Sequence, residues 1–86
     1  MTTFNDLIFS KLPDGMGIQC RIEFRNGYGA SIVKGPYTYG GRDGLFELAV
    51  LGSDGQIAYD TPITDDVVGY LTEEGVTTLL AEIELL

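Results

Sequence analysis

The chain has no histidine and no tryptophan, one cysteine, three prolines, and five basic residues against thirteen acidic ones. Each shortage excludes something. Without histidine, the commonest general base and the commonest metal ligand are both missing. The lone Cys20 permits neither an intramolecular disulfide nor a thiolate zinc cage, and an unpaired thiol suits a reducing compartment. The longest uninterrupted apolar run, Leu48 to Leu51, has four residues, far below the ~20 that a membrane-spanning helix needs. Before Lys11 there is no base, and the apolar stretch Leu7-Ile8-Phe9 is too short for a signal peptide. The expectation is a cytoplasmic protein, away from membranes.

The scarcity of base is uneven. Residues 1–44 carry four acids and five bases, a net of +1, whereas residues 45–86 carry nine acids and no base, a net of −9. Direct nucleic-acid binding needs clustered Lys and Arg on phosphates, so it is not expected. An acidic half can imitate a phosphate backbone in a basic groove of another protein. It can also simply keep a small protein soluble, and that reading carries the greater weight.

What the sequence does hold is enough for one core. Hydrophobic residues make up 44% and charged residues 21% of 86 positions, an ordinary globular balance. A chain this size buries ~63% of its unfolded surface, which supports a single domain over 1–86. Twelve glycines imply many tight turns between short strands.

Residues 17–25 alternate, with Ile18, Cys20, Ile22 and Phe24 on one face and Gln19, Arg21, Glu23 and Arg25 on the other, the pattern of a half-buried strand. A three-residue turn with Gly27 left-handed pairs Phe24 with Tyr28, Ile22 with Ala30 and Cys20 with Ile32, keeping one apolar face. Gly35 to Gly44 holds four glycines and a proline and is no regular element. Leu45 to Leu51 reads as a strand. A four-residue turn, Gly52 to Gly55, then sets Val50 against Ile57 and Leu48 against Tyr59, giving a second hairpin to about Asp60. Thr64 or Asp65 caps a short helical turn carrying Val67, Val68, Tyr70 and Leu71. Thr72 caps a final helix with Val76, Leu79, Leu80, Ile83 and Leu86 along one stripe. Phe4 to Leu12 fits either a helix capped by Thr3 or an edge strand, and strand is favoured. The expected fold is α+β: an antiparallel meander of four to five strands with a C-terminal helix packed on one face.

Nothing in the chain assembles a catalytic constellation. Cys20 sits mid-strand with no activating base and reads as core filler. Asp65 and Asp66 are adjacent, so on a helical turn they point ~100° apart and suit capping better than acid–base or metal chemistry. Asp54-Gly55 is turn chemistry, lacking the spaced oxygens of a calcium loop. Segment 35–44 has no Gly-Lys-Ser/Thr ending and leads into a strand, so it is not a phosphate loop. No enzyme, cofactor or metal is expected. Tyr37 and Tyr39 with Arg42, in a glycine-flanked loop, are the residue types enriched at binding hot spots. The alternative, of equal weight, has both tyrosines folded back over the sheet edge and Arg42 paired with Asp43. Tyr59 to Tyr70 is either an acidic binding edge of Asp60, Asp65 and Asp66 or a plain connection.

The strings Asn26-Gly27-Tyr28-Gly29-Ala30-Ser31, Gly44 to Val50, Tyr59 to Val67 and Gly69-Tyr70-Leu71-Thr72 resemble small hypothetical proteins of tailed bacteriophages and prophages, from Gly15 onward. The resemblance carries no functional residue across. It implies a class of role, the binding and redirection of a host macromolecule or defence component in the host cytoplasm. The expected function is therefore a non-enzymatic accessory protein acting by protein–protein interaction through Tyr37, Tyr39, Arg42, Asp60, Asp65 and Asp66. The alternative is a sponge for a signalling nucleotide, with the tyrosines stacking a base and Arg42 on a phosphate, which the net charge of −8 disfavours. Lys11, Pro13 and Lys34 blunt the sheet edge and favour a monomer. Leu7-Ile8-Phe9 is expected to be buried, in the chain's own sheet or in a homodimer interface.

Overall fold

The alternating segments recognised above pair in chain order. A computed structural model describes all residues except Asp14 and Asp65. Five antiparallel strands, β1 (Ser10–Lys11), β2 (Ile18–Glu23), β3 (Gly29–Lys34), β4 (Phe46–Leu51) and β5 (Val67–Leu71), form one sheet in the order β1-β2-β3-β4-β5. Helix α1 (Glu73–Glu84) packs across one face. The protein is an α+β meander with a single C-terminal helix.

The core follows the alternation. Ala30, Ile32, Phe46, Leu48 and Val50 point from β3 and β4 toward Val76, Leu80 and Ile83 of α1. Thr72 caps the helix, its side chain accepting from the Gly75 N–H at 3.0 Å. The first hairpin has the expected register, Ile22 opposite Ala30 and Cys20 opposite Ile32. Its turn closes with Gly27 at φ 89° and the Phe24 N–H donating to the Tyr28 carbonyl at 2.7 Å.

Three expectations are corrected. The second turn has five residues, 52–56, with the Gly52 N–H on the Gln56 carbonyl at 2.8 Å, so Leu51 and not Val50 pairs with Ile57. One residue of slip exchanges faces. Ala58 now packs on the core, while Ile57 lies on the other face beside the buried Ala49 and Leu51. Arg21 Nη2 donates to the Gly55 carbonyl at 2.7 Å and ties this turn across that face.

Residues 67–71, expected as a helical turn, are strand β5, and Leu48 faces Val68 instead of Tyr59. Consecutive β-branched residues at 67 and 68 favour extended backbone. The cap assigned to Asp65 lies outside the described residues. The two misread segments are one edge strand in two pieces. Leu51 pairs with Ile57, the Ala58 N–H donates to the Val50 carbonyl at 2.8 Å, and Ala49 pairs with Val67. Val67 thus takes the place that residue 59 would occupy in an unbroken hairpin. Residues 59–66 make an excursion, in which Pro62 has no N–H for a ladder and Ile63 packs on the core.

At the N-terminus, the strand expected over residues 4–12 shrinks to Ser10–Lys11 and is preceded by a single 3₁₀ turn, Phe4–Asp6, capped by Thr3. Phe4 and Phe9 meet Phe46 with ring centroids 5.1 and 5.6 Å away. Leu7 also packs on the core, but Ile8 is 84% exposed, because alternation about Leu7 and Phe9 turns it outward.

Candidate functional site

Segment 35–44 links β3 to β4 and is closed by its own hydrogen bonds. The Thr38 hydroxyl donates to the Gly35 carbonyl and accepts from the Gly35 N–H, both at 3.0 Å. The Gly41 N–H reaches the Thr38 carbonyl at 3.1 Å, and the Leu45 N–H reaches the Gly40 carbonyl at 2.9 Å. These turns are satisfied by backbone and one threonine, with no tyrosine hydroxyl among their bonds. Tyr37 is 80% exposed and Tyr39 62% exposed. Tyr37 turns out into solvent, whereas the Tyr39 side chain lies against Gly69 of the edge strand β5. Arg42 Nε donates to the Pro36 carbonyl at 3.3 Å, within the same loop.

The structure adds a residue that sequence reasoning placed on a helical turn. Between the pairs Phe46–Leu71 and Leu48–Val68, one residue of β4, Glu47, stands opposite two of β5, Gly69 and Tyr70. This bulge puts Tyr70 in the left-handed region at φ 56°, the one non-glycine residue there among those described. Its N–H donates to the Tyr39 carbonyl at 3.0 Å, and its side chain is 63% exposed. Glu47 Oε2 accepts from the Tyr39 N–H at 2.8 Å and holds the loop from beneath. Close approach requires glycine on both sides. A Cβ on Gly40 would stand 2.8 Å from Tyr70 Cα, and one on Gly69 would collide with Tyr39 Cβ. Tyr70 and Arg42 together line a shallow depression of about 310 Å³ with Pro36, Thr38, Gly40 and Asp43. The sequence signal for Tyr70 was the run Val67-Val68, which reads as strand once its neighbour is known.

The acidic residues stand apart from the tyrosines. Asp60 lines a groove beyond the Leu51 end of β4, whereas loop 35–44 lies at the Phe46 end. Six residues at ~3.3 Å each separate the two. Asp66 is exposed at the end of the excursion, its N–H on Thr64 Oγ1 at 3.1 Å. Asp65 lies outside the described residues. Tyr37, Tyr39 and Arg42 thus lie in the loop at one end of β4, and Asp60 lines a groove at the other. Cys20 is buried opposite Ile32. Among the described residues no three carboxylates or thiols converge as metal ligands, and no helix is long and apolar enough to cross a membrane.

Comparison of the chain with protein-family models, curated proteins and solved structures finds no match. A functional reading therefore rests on this geometry.

Proposed function

We propose that the protein is a non-enzymatic interaction module that binds a protein partner through Tyr37, Tyr39, Tyr70 and Arg42. The observation that carries this reading is the bond between Tyr70 and Tyr39, which fixes two exposed aromatic residues at the cost of a left-handed tyrosine. Backbone strain is concentrated where proteins bind or switch, and here the same bulge also sets Leu71 on the core. Tyrosine offers a large amphipathic surface with only two side-chain torsions to freeze, and tyrosine with arginine dominates interface hot spots. The resemblance to small phage and prophage proteins makes a bacterial host macromolecule, such as a defence component, the partner class.

The test replaces Tyr37 with a photo-crosslinking amino acid, identifies the protein captured in bacterial cells, and titrates that protein in purified form. Wild type should bind it, and the Tyr37→Ala, Tyr39→Ala, Arg42→Ala triple variant should lose at least thirtyfold, about 2 kcal/mol. Equal affinity of the triple variant, with its fold intact by circular dichroism, would overturn the reading.

A further inference from the structure

A groove lies at the far end of β4 from the tyrosine loop. Two turns face each other across it, the Phe24–Tyr28 turn and the 52–56 turn, and they enclose about 620 Å³, within the ~300–1,000 Å³ usual for ligand sites. Its walls carry Tyr28, Ile57 and Tyr59, of which Tyr59 is 60% exposed. Its carboxylates are Asp54 and Asp60, and no Lys or Arg lines it. Arg21 is committed to the Gly55 carbonyl, and Arg25, in the Phe24–Tyr28 turn, lines a separate depression with Thr2, Glu23 and Glu84.

The two carboxylates differ in duty. Asp54 Oδ1 accepts from the Gln56 N–H at 3.0 Å, which orients that side chain within its turn. Asp60 is exposed and accepts no hydrogen bond from a described residue.

These features select the occupant. An anion is repelled by two carboxylates in a groove that no Lys or Arg lines. A neutral apolar ligand would desolvate both carboxylates without compensation. A metal ion finds too few ligands, since no third acid or thiol joins the pair among the described residues. A guanidinium is satisfied on both counts, because it takes carboxylates through its N–H fork and aromatic faces through its plane. We infer that this groove is a docking site for an arginine-bearing segment of a protein partner, with Asp54 and Asp60 on the guanidinium and Tyr28 and Tyr59 flanking it. The groove is open between two turns, which admits a passing peptide. It is separate from the tyrosine surface, so either reading stands or falls without the other.

The experiment is an amide NMR titration of the full chain at 0.15 M salt with acetyl-Gly-Arg-Ala-Arg-Gly-amide, beside the same peptide carrying neutral citrulline for each arginine. Saturable shifts are expected at Asn26, Gly27, Ser53, Gly55 and Ala58, at least tenfold weaker with citrulline. Tyr59→Ala and Asp60→Asn, neither of which removes a hydrogen bond from the fold, should each weaken binding threefold or more. The Tyr37→Ala, Tyr39→Ala pair should bind as wild type does. Absence of shifts, shifts spread equally over Glu73, Glu74 and Glu82 of the helix, or indifference to Asp60→Asn would each overturn the inference.

Discussion

The Tyr70 N–H donates to the Tyr39 carbonyl oxygen at 3.0 Å from a backbone at φ 56°. A left-handed non-glycine residue costs ~1–2 kcal/mol, and glycine there returns roughly 0.5–1 kcal/mol through the entropy of the unfolded chain. Tyr70→Gly should therefore unfold at the same temperature as wild type or slightly higher, while binding at the tyrosine surface falls tenfold or more. Thermal melts and partner titration check the two halves. A melting temperature lowered by more than about 5 °C, the equivalent of ~1 kcal/mol, would show that Tyr70 serves the fold instead.

Asn26 joins the first hairpin to the far end of the chain. Its Oδ1 accepts from the Tyr28 N–H at 3.0 Å, and its Nδ2 donates to the Ile83 carbonyl at 2.8 Å and the Leu86 carbonyl at 3.4 Å. The Ile83 carbonyl also accepts from the Leu86 N–H at 3.1 Å, so this amide adds a side-chain donor at a helix end whose last carbonyls lack intrahelical partners. Asn26→Ala should cost about 1–2 kcal/mol in urea unfolding. Asn26→Asp keeps the turn bond, loses the donor, and sets a negative charge at the negative end of the helix dipole. It should be no more stable than Asn26→Ala. An aspartate variant as stable as wild type would confine the role of Asn26 to its turn.

How far the sequence could be read depended on where each element finds its partner. The first hairpin was legible because Ile18, Cys20, Ile22 and Phe24 allow one register only, and the helix because Thr72 and the Val76–Leu80–Ile83 stripe agree. The edge beside β4 was not. Val67, Val68, Tyr70 and Leu71 satisfy a strand and a helical turn almost equally over five residues, and only pairing with Phe46–Ala49 decides between them. An edge strand interrupted by eight residues leaves no local mark. The exposed pair Tyr37 and Tyr39 could be proposed from composition, but Tyr70 could not, since its place beside Tyr39 comes from a bulge opposite Glu47. The Tyr/Arg loop and the acidic edge can each be named from residue type, but that the length of β4 lies between Arg42 and Asp60 cannot.

Adjacent positions in the N-terminal segment should respond in opposite ways. Phe9 lies against Phe4 and Phe46 with ring centroids 5.7 and 5.6 Å away, while Ile8 points into solvent. Phe9→Ala should cost about 2–3 kcal/mol, less than the ~3–5 of a fully buried phenylalanine because the ring is only half-covered. Ile8→Ser should stay within ~0.5 kcal/mol of wild type. Urea unfolding measures both. A large loss from Ile8→Ser would mean that Ile8 is covered in solution, as by a second copy of the chain.

The interrupted edge makes the strongest demand on the structure. Ala58 and Val67 stand opposite consecutive residues of β4, Val50 and Ala49, so deleting residues 59–66 joins two positions that already behave as neighbours in one strand. The deletion removes the core contact of Ile63, worth about 1–2 kcal/mol for a half-buried aliphatic side chain, and the shorter connection offsets a fraction of that. The shortened chain should fold with the same sheet, its β2 and β3 amides keeping their NMR shifts. It should lose affinity for the arginine peptide, because Tyr59 and Asp60 go with the excursion, and keep the tyrosine surface. Ile63→Ala is the control for packing alone. If Ile63→Ala folds and the deletion does not, then Val67 is not the continuation of Ala58 and the edge depends on the excursion itself.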